Sequence, residues 1–385
     1  MIRPTLSLVS LASAFQLGLD AQTITDTTRQ PADSVRLITR DIPSFWRAYD
    51  LAAGKDSVER VRIFRTVYLQ PGSPGLRDWM RVRLMNRDTV RARLIAAGWD
   101  RLTIDSIYRL PRGTPVRDSL QRDMEPHMER SAAEQLLRAL AQYPRWYAAV
   151  RPATLSIDSA TAITQEIRRG LKQLAELYPD ARFPDVYFLI GTLSTGGTVA
   201  RSGMLIGTEQ LTAGPDTPRD ELPEWATFVT KENPVDRIPR MVVHEAVHTQ
   251  QRPRPEGQKN TLLRQALGEG GADFLTELAL GPPPIKTERQ VYGEAHERSV
   301  WLDFKDEMMT DSTITTWMYN GRVPRDKNHG ATDIGYWIGS RIARAYYDRA
   351  TDKRAAVRVL LLCADPESIL AASGYAASAE TLPDE

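Results

Sequence analysis

The sequence predicts an α+β protein, mainly helical, with a small mixed sheet and an N-terminal helical region. Apolar residues recur at helical spacing through most of the chain, as at Ile163, Ile167, Leu171 and Leu174. Two stretches read as strands: the unbroken apolar run 186–190, and 198–207, with glycines 191, 196 and 197 between them. The 385 residues are 42% apolar and 26% charged, enough for a packed core and for two domains of common size. Net charge is +1 and the arginines are spread along the chain, so neither nucleic acid nor an acidic membrane surface is an expected partner.

Taken in order, the chain opens with one basic residue, Arg3, and then a mostly apolar run over 6–19 that lacks basic residues. That run is shorter than the roughly 20 residues a spanning helix needs. With Ala21 ending a cleavage-like site, 1–21 reads as a signal peptide, and the mature chain is expected to be extracytoplasmic, periplasmic or secreted, with no integral membrane segment. Residues 22–33 read as a flexible polar leader. The region 34–150 carries helical patterns at 42–53, 57–68, 75–85, 89–97 and 130–141, punctuated by Gly and Pro. His127 follows Pro126, which disfavours a helix there and makes the histidine a surface residue.

The second region, 151–376, begins with an amphipathic helix over 157–177, stopped by Pro179. The glycines after the first strand lack the Lys-Ser/Thr ending of a phosphate loop, so a hairpin connection is expected. Prolines 215, 218, 223 and 234 make 211–238 a long loop of the kind that shapes a cleft. Helices are expected from about Pro239 to before Pro253, then over 261–280, 288–309, 333–350, 355–362 and 366–372, with a turn at 317–321 and a polar tail at 377–385. The single cysteine, Cys363, sits in an apolar run. It can form no intramolecular disulfide and reads as a buried small apolar residue.

Inside the helix entered at Pro239 lies His244-Glu245-Ala246-Val247-His248, an H-E-x-x-H pattern. Residues four apart share a helix face, so both imidazoles can reach one metal ion, while Glu245, turned roughly 100° away, is left for a proton-accepting role. Such a site needs a third protein ligand. Glu269, on the next helix and about 20 residues on, is the expected one. Asp273, four residues later, suits an outer role, accepting the far N–H of a liganding histidine. Glu277 is expected on a solvated or salt-bridged face. Gly268, Gly270 and Gly271 flank Glu269, each lowering helix stability by roughly 1 kcal/mol relative to alanine. They suggest close approach to the motif helix.

H-E-x-x-H followed by glutamate in an E-x-x-x-D context resembles the gluzincin arrangement of thermolysin-type metallopeptidases. More closely, 243–250, 268–280 and 333–347 resemble an uncharacterised family of predicted zinc-dependent proteases that has relatives among gliding-motility lipoproteins. The resemblance runs from about residue 41 to the C-terminus and implies a zincin-like core, with the sheet bordering the motif helix, bound Zn2+, and a zinc metallopeptidase acting on a peptide or protein substrate. Glu245 would be its general base, with His329 and Tyr336 as candidates to stabilise the developing oxyanion and His296 as a weaker one. The chain lacks the lipidation cysteine of the lipoproteins, so a gliding role is not expected to transfer. The alternatives are a non-catalytic exported protein that uses zinc for stability as a binding or scaffold protein, and an amidase acting on cell-wall peptides.

Overall fold

The computed structural model describes residues 29–107, 114–222, 234–321 and 329–383. The expected signal peptide, most of the leader, and residues 223–233 of the proline-rich loop lie outside the described residues. Among the described residues the protein is α+β and mainly helical, with helix over 66% of them and one four-stranded mixed sheet. It divides into two compact units: one of residues 36–161 and 185–222, the other of residues up to 35, 162–184 and 223 onward. This division crosses the boundary expected near residue 150, because the strand segment 185–222 returns to the N-terminal helices.

In the first unit the sheet comprises β1 (Leu37–Ile38), β2 (Val186–Leu189), β3 (Gly197–Ala200) and β4 (Gly203–Gly207), in the order β1-β2-β4-β3. β2 runs parallel to both β1 and β4, with Val186 opposite Leu37 and Met204, while β3 pairs antiparallel with β4. The expected strand over 198–207 is therefore two strands, and the hairpin joins β3 to β4, not β2 to its successor. Burial explains the order: β2 and β4 are buried along their whole length and take the centre, whereas β3 is half-exposed and takes the edge. Gly203 (φ +149°) makes the turn possible, since a Cβ there would lie 2.3 Å from the Asp185 carbonyl oxygen.

Helices clamp the ends of these strands. The Tyr68 and Tyr147 hydroxyls donate to the carbonyls of Ile190 (3.0 Å) and Gly191 (2.7 Å). Phe45, Phe64 and Tyr68 pack edge to face beneath them. The helix Pro115–Gln142 runs through Pro126, correcting the expected break. Burial of Leu120, Met124, Met128 and Leu136 along one face offsets the lost backbone bond. His127 is half-buried on this helix.

The second unit contains the helices Thr161–Leu177, Pro234–Gln250, Leu262–Leu280, Glu288–Ala295, Glu297–Glu307, Ile334–Arg349, Lys353–Leu362, Pro366–Ser373 and Tyr375–Glu380. The sheet thus belongs to one unit and the motif helix to the other. The motif helix starts at Pro234, more than a turn before the expected Pro239. A proline so near the N-terminus forfeits a single backbone bond, and Ile238 and Pro239 are buried there. The expected helix over 288–309 is broken at His296. The last helix enters the expected polar tail because Tyr375 and Ala379 are buried.

The glycines around Glu269 do not act as one group. Gly270 lies against the helix Ile334–Arg349, where a Cβ would sit 2.3 Å from Ser340 N and 2.4 Å from Tyr336 O. Gly339 returns the contact, its notional Cβ being 1.8 Å from Ala266 O. The close approach is therefore to that later helix and not to the motif helix. Gly268 and Gly271 face open space within 4 Å. The motif helix is instead approached by Gly170, where a Cβ would meet Val243 at 2.5 Å.

Gly270→Ala will lower unfolding free energy by about 1–3 kcal/mol, whereas Gly268→Ala and Gly271→Ala will leave it unchanged or raise it by up to about 1 kcal/mol. Equal losses at all three positions in denaturant titrations would contradict this packing. In the first unit, Glu209 is fully buried, with one carboxylate oxygen accepting from Leu193 N at 3.0 Å and the other without a hydrogen bond among the described residues. Burial pushes its carboxyl up to about 7, against the opposing pull of the Gly191, Glu209 and Leu193 N–H groups. A carboxyl raised in the folded state costs nothing below its unfolded pKa and destabilises progressively as pH rises through the folded value. Glu209→Gln will therefore raise stability at pH 8 by about 2–3 kcal/mol and much less at pH 5. A pH-independent difference between the two proteins would contradict it.

Candidate metal centre

The motif helix presents two faces. Val242, Val243, Ala246 and Val247 are wholly buried, which fixes the helix in rotation. Gln250 fixes its end through a reciprocal pair with Arg182, its side chain accepting from the Arg182 N–H (3.1 Å) and donating to the Arg182 carbonyl (2.8 Å). His244 and His248 then project together, one turn apart, toward the helix Leu262–Leu280. That helix is started by Thr261, whose hydroxyl accepts from Arg264 N.

Three atoms converge between the helices. His244 Nε2 and His248 Nε2 are 3.0 Å apart. Glu269 Oε2 lies 3.1 Å from His248 Nε2 and 3.4 Å from His244 Nε2. Zinc bonds of about 2.0–2.1 Å at tetrahedral angles put neighbouring ligand atoms roughly 3.3 Å apart, so this triangle fits one ion. These three residues are the metal-capable group of His, Cys, Asp and Glu found among the described residues. Their side chains remain 14%, 16% and 11% exposed, so the cluster is shielded but reachable from solvent.

Each member is also held by its far atom. His244 Nδ1 is 2.9 Å from Asp273 Oδ1, and Arg289 donates to Asp273 Oδ2 at 2.7 Å. His248 Nδ1 is 2.8 Å from Gln251 Oε1, and the Gln251 amide donates to the Gly268 carbonyl at 2.7 Å. Tyr319 donates its hydroxyl proton to Glu269 Oε1 at 2.7 Å. Outer partners of this kind fix the imidazole tautomer with Nε2 free for metal.

The electrostatics without an ion point the same way. Burial works against a charged imidazole at His244, but hydrogen bonds to Asp273 and Glu269 outweigh it and push the ring up to about 10. At His248 burial is likewise overcome by Glu269, and the ring is raised. Burial would raise the Glu269 carboxyl, yet the two histidines hold it well below the usual carboxylate range. The cluster is thus poised to balance a carboxylate with positive charge, whether from protons or from a metal ion.

Glu245 is buried on the same helix, outside the convergent triangle, and acts on His248 through its charge. Tyr336 stands beside Tyr319, ring centroids 6.0 Å apart, with the Arg289 guanidinium 4.7 Å from its own ring centroid. His329 is directed elsewhere: its ring stacks on Trp317 at 3.9 Å and its Nε2 lies 4.0 Å from Glu307. His296 packs on Tyr292. Glu277 pairs with Arg344 at 2.8 Å. Sequence reasoning missed Tyr319, Gln251 and Arg289. Gln251 was within reach of it, three residues beyond His248 and hence on the same face. Tyr319 and Arg289 arrive by tertiary folding alone. The segment around Tyr319 is pinned by Asn320 and Asp333, each backbone N–H donating to the other's side chain at 3.0 and 2.7 Å.

Comparison with known proteins gives a family. Its description is "Gliding motility protein GldB", and the match covers residues 118–377, which include every residue of the metal-directed cluster. No curated protein and no solved structure matches the chain. The described family is one of gliding motility and not of peptidases, which overturns the expectation of a zinc metallopeptidase drawn from H-E-x-x-H. It bears out the resemblance to gliding-motility relatives read in the sequence. Among the described residues no helix is long and apolar enough to cross a membrane. With more than half of its length matched, the chain belongs to the gliding motility protein GldB family.

Proposed function

We propose that this chain is an extracytoplasmic zinc-binding protein that serves in gliding motility, with His244, His248 and Glu269 holding one Zn2+ ion. The observation that carries the reading is the convergence of Nε2, Nε2 and Oε2 within 3.4 Å, each on a residue whose far atom is already engaged. When bound, zinc supplies a cross-link between the motif helix and the helix Leu262–Leu280 and keeps one position for an outside ligand. Its role here is that of a metal-stabilised binding or scaffold protein. Cys363 is buried, and among the described residues there is no disulfide to do the same work. The export reading of the N-terminus and the family's description both support a site outside the cytoplasm.

Zinc must displace the protons that the cluster otherwise holds. A histidine raised in the folded, metal-free protein contributes stability that is fully present below about pH 6.5 and is lost as pH rises toward 10. Zinc binding takes the neutral ring, so metal and proton compete. Calorimetry in buffers of different ionisation enthalpy will show release of at least one proton per zinc at pH 7. Affinity will rise about tenfold per pH unit between pH 6 and 8. Proton-neutral binding with a flat pH profile would contradict the assignment. Asp273→Asn will weaken zinc binding by about 10- to 100-fold, while His329→Ala will leave it within a factor of about three. The reverse ranking in competition with a chromophoric chelator would move the site away from this cluster.

A further inference from the structure

The outer partner of Glu269 differs in kind from those of the histidines. Each imidazole has one nitrogen for metal and one for its partner. A carboxylate has two equivalent oxygens, and both could close on one ion. Bidentate closure would fill the fourth position that a three-ligand zinc site leaves to an outside ligand. In this protein Oε2 lies 3.1 and 3.4 Å from the two imidazoles, while Oε1 accepts from the Tyr319 hydroxyl at 2.7 Å. Tyr319 is itself held in a costly backbone conformation, φ +57°, which is uncommon for a residue with a large side chain. The reciprocal bonds between Asn320 and Asp333, the latter also at positive φ (+56°), hold the segment in place. Tyr336 stands edge-on beside the Tyr319 ring and confines it. A strained residue held from two sides, whose hydroxyl lies nearer one Glu269 oxygen (2.7 Å) than its other acceptor, Gln265 Oε1 (3.2 Å), is a positioning device.

We propose that Tyr319 holds Glu269 in one-oxygen ligation, and that it thereby keeps the fourth zinc position open to a small anionic or carboxylate ligand from solution. The inference rests on the zinc assignment above. It adds to that assignment a positioning residue, contributed by a segment some 50 residues beyond Glu269, and the chemical class of what the metal can accept.

Cobalt(II) substitution of the full chain, with azide as the probe, tests it. In the native protein azide will perturb the cobalt absorption in the manner of a ligand entering an open position. Tyr319→Phe removes the hydroxyl and keeps the ring. Its cobalt spectrum will shift toward higher coordination as Oε1 closes on the metal, and azide binding will weaken at least about tenfold. Circular dichroism of the metal-free protein is expected to stay native, with a melting temperature lowered in step with the loss of one hydrogen bond to buried Glu269. X-ray absorption of the zinc-loaded native chain provides a check independent of any variant, and the carboxylate is expected to appear as a one-oxygen ligand. Native zinc and cobalt binding with an unchanged Tyr319→Phe spectrum and unchanged azide affinity would overturn the positioning role alone, as would a two-oxygen carboxylate in the native protein. Failure of the native chain to bind either metal would overturn the zinc assignment and this inference with it.

Discussion

The second unit depends on one buried carboxylate. Glu269 is 8% exposed, in a helix whose neighbouring residues are almost wholly apolar, and a lone charge there would be strongly destabilising. It is tolerated because two imidazoles and a phenol hydroxyl surround it. Those groups are fixed in turn by Asp273 with Arg289, by Gln251 on a backbone carbonyl, and by the Asn320–Asp333 clamp. Removing any one partner leaves a buried charge incompletely matched, so the network acts as a unit.

Helix packing delivers the groups to that point. Gly270 and Gly339 let the helices Leu262–Leu280 and Ile334–Arg349 approach backbone to backbone, and Gly170 lets the helix Thr161–Leu177 lie against Val243. The motif helix is thereby held on its apolar side while its histidines face Glu269. The glycines thus serve the site indirectly, by setting the spacing of the helices that carry it.

The core of this arrangement was legible in the sequence because its signals are local. His244 and His248 share a face through helical periodicity, and Glu269 and Asp273 share one on the next helix. The mainly helical α+β class and most helix positions follow from the same periodicity. Long-range features were not legible. Whether β4 inserts between β2 and β3 is decided by burial of the whole strand, which no local pattern reports. Tyr319 reads as a turn residue until the Asn320–Asp333 clamp folds it back. His329 looked like a loop histidine available for chemistry, but the flat face of Trp317 captures it. The H-E-x-x-H pattern picked out two of the three side chains that converge between the helices and still misled about activity, because ligand spacing can suggest a metal site while the reaction depends on everything around it.

The zinc ion proposed here would lie between these two helices. Anomalous diffraction at the zinc edge, from crystals of the full chain grown with stoichiometric zinc, tests it most directly. A single strong peak is expected about 2.0–2.2 Å from His244 Nε2, His248 Nε2 and one oxygen of Glu269. A peak bound by other residues, or no peak with the three side chains unmoved, would contradict it.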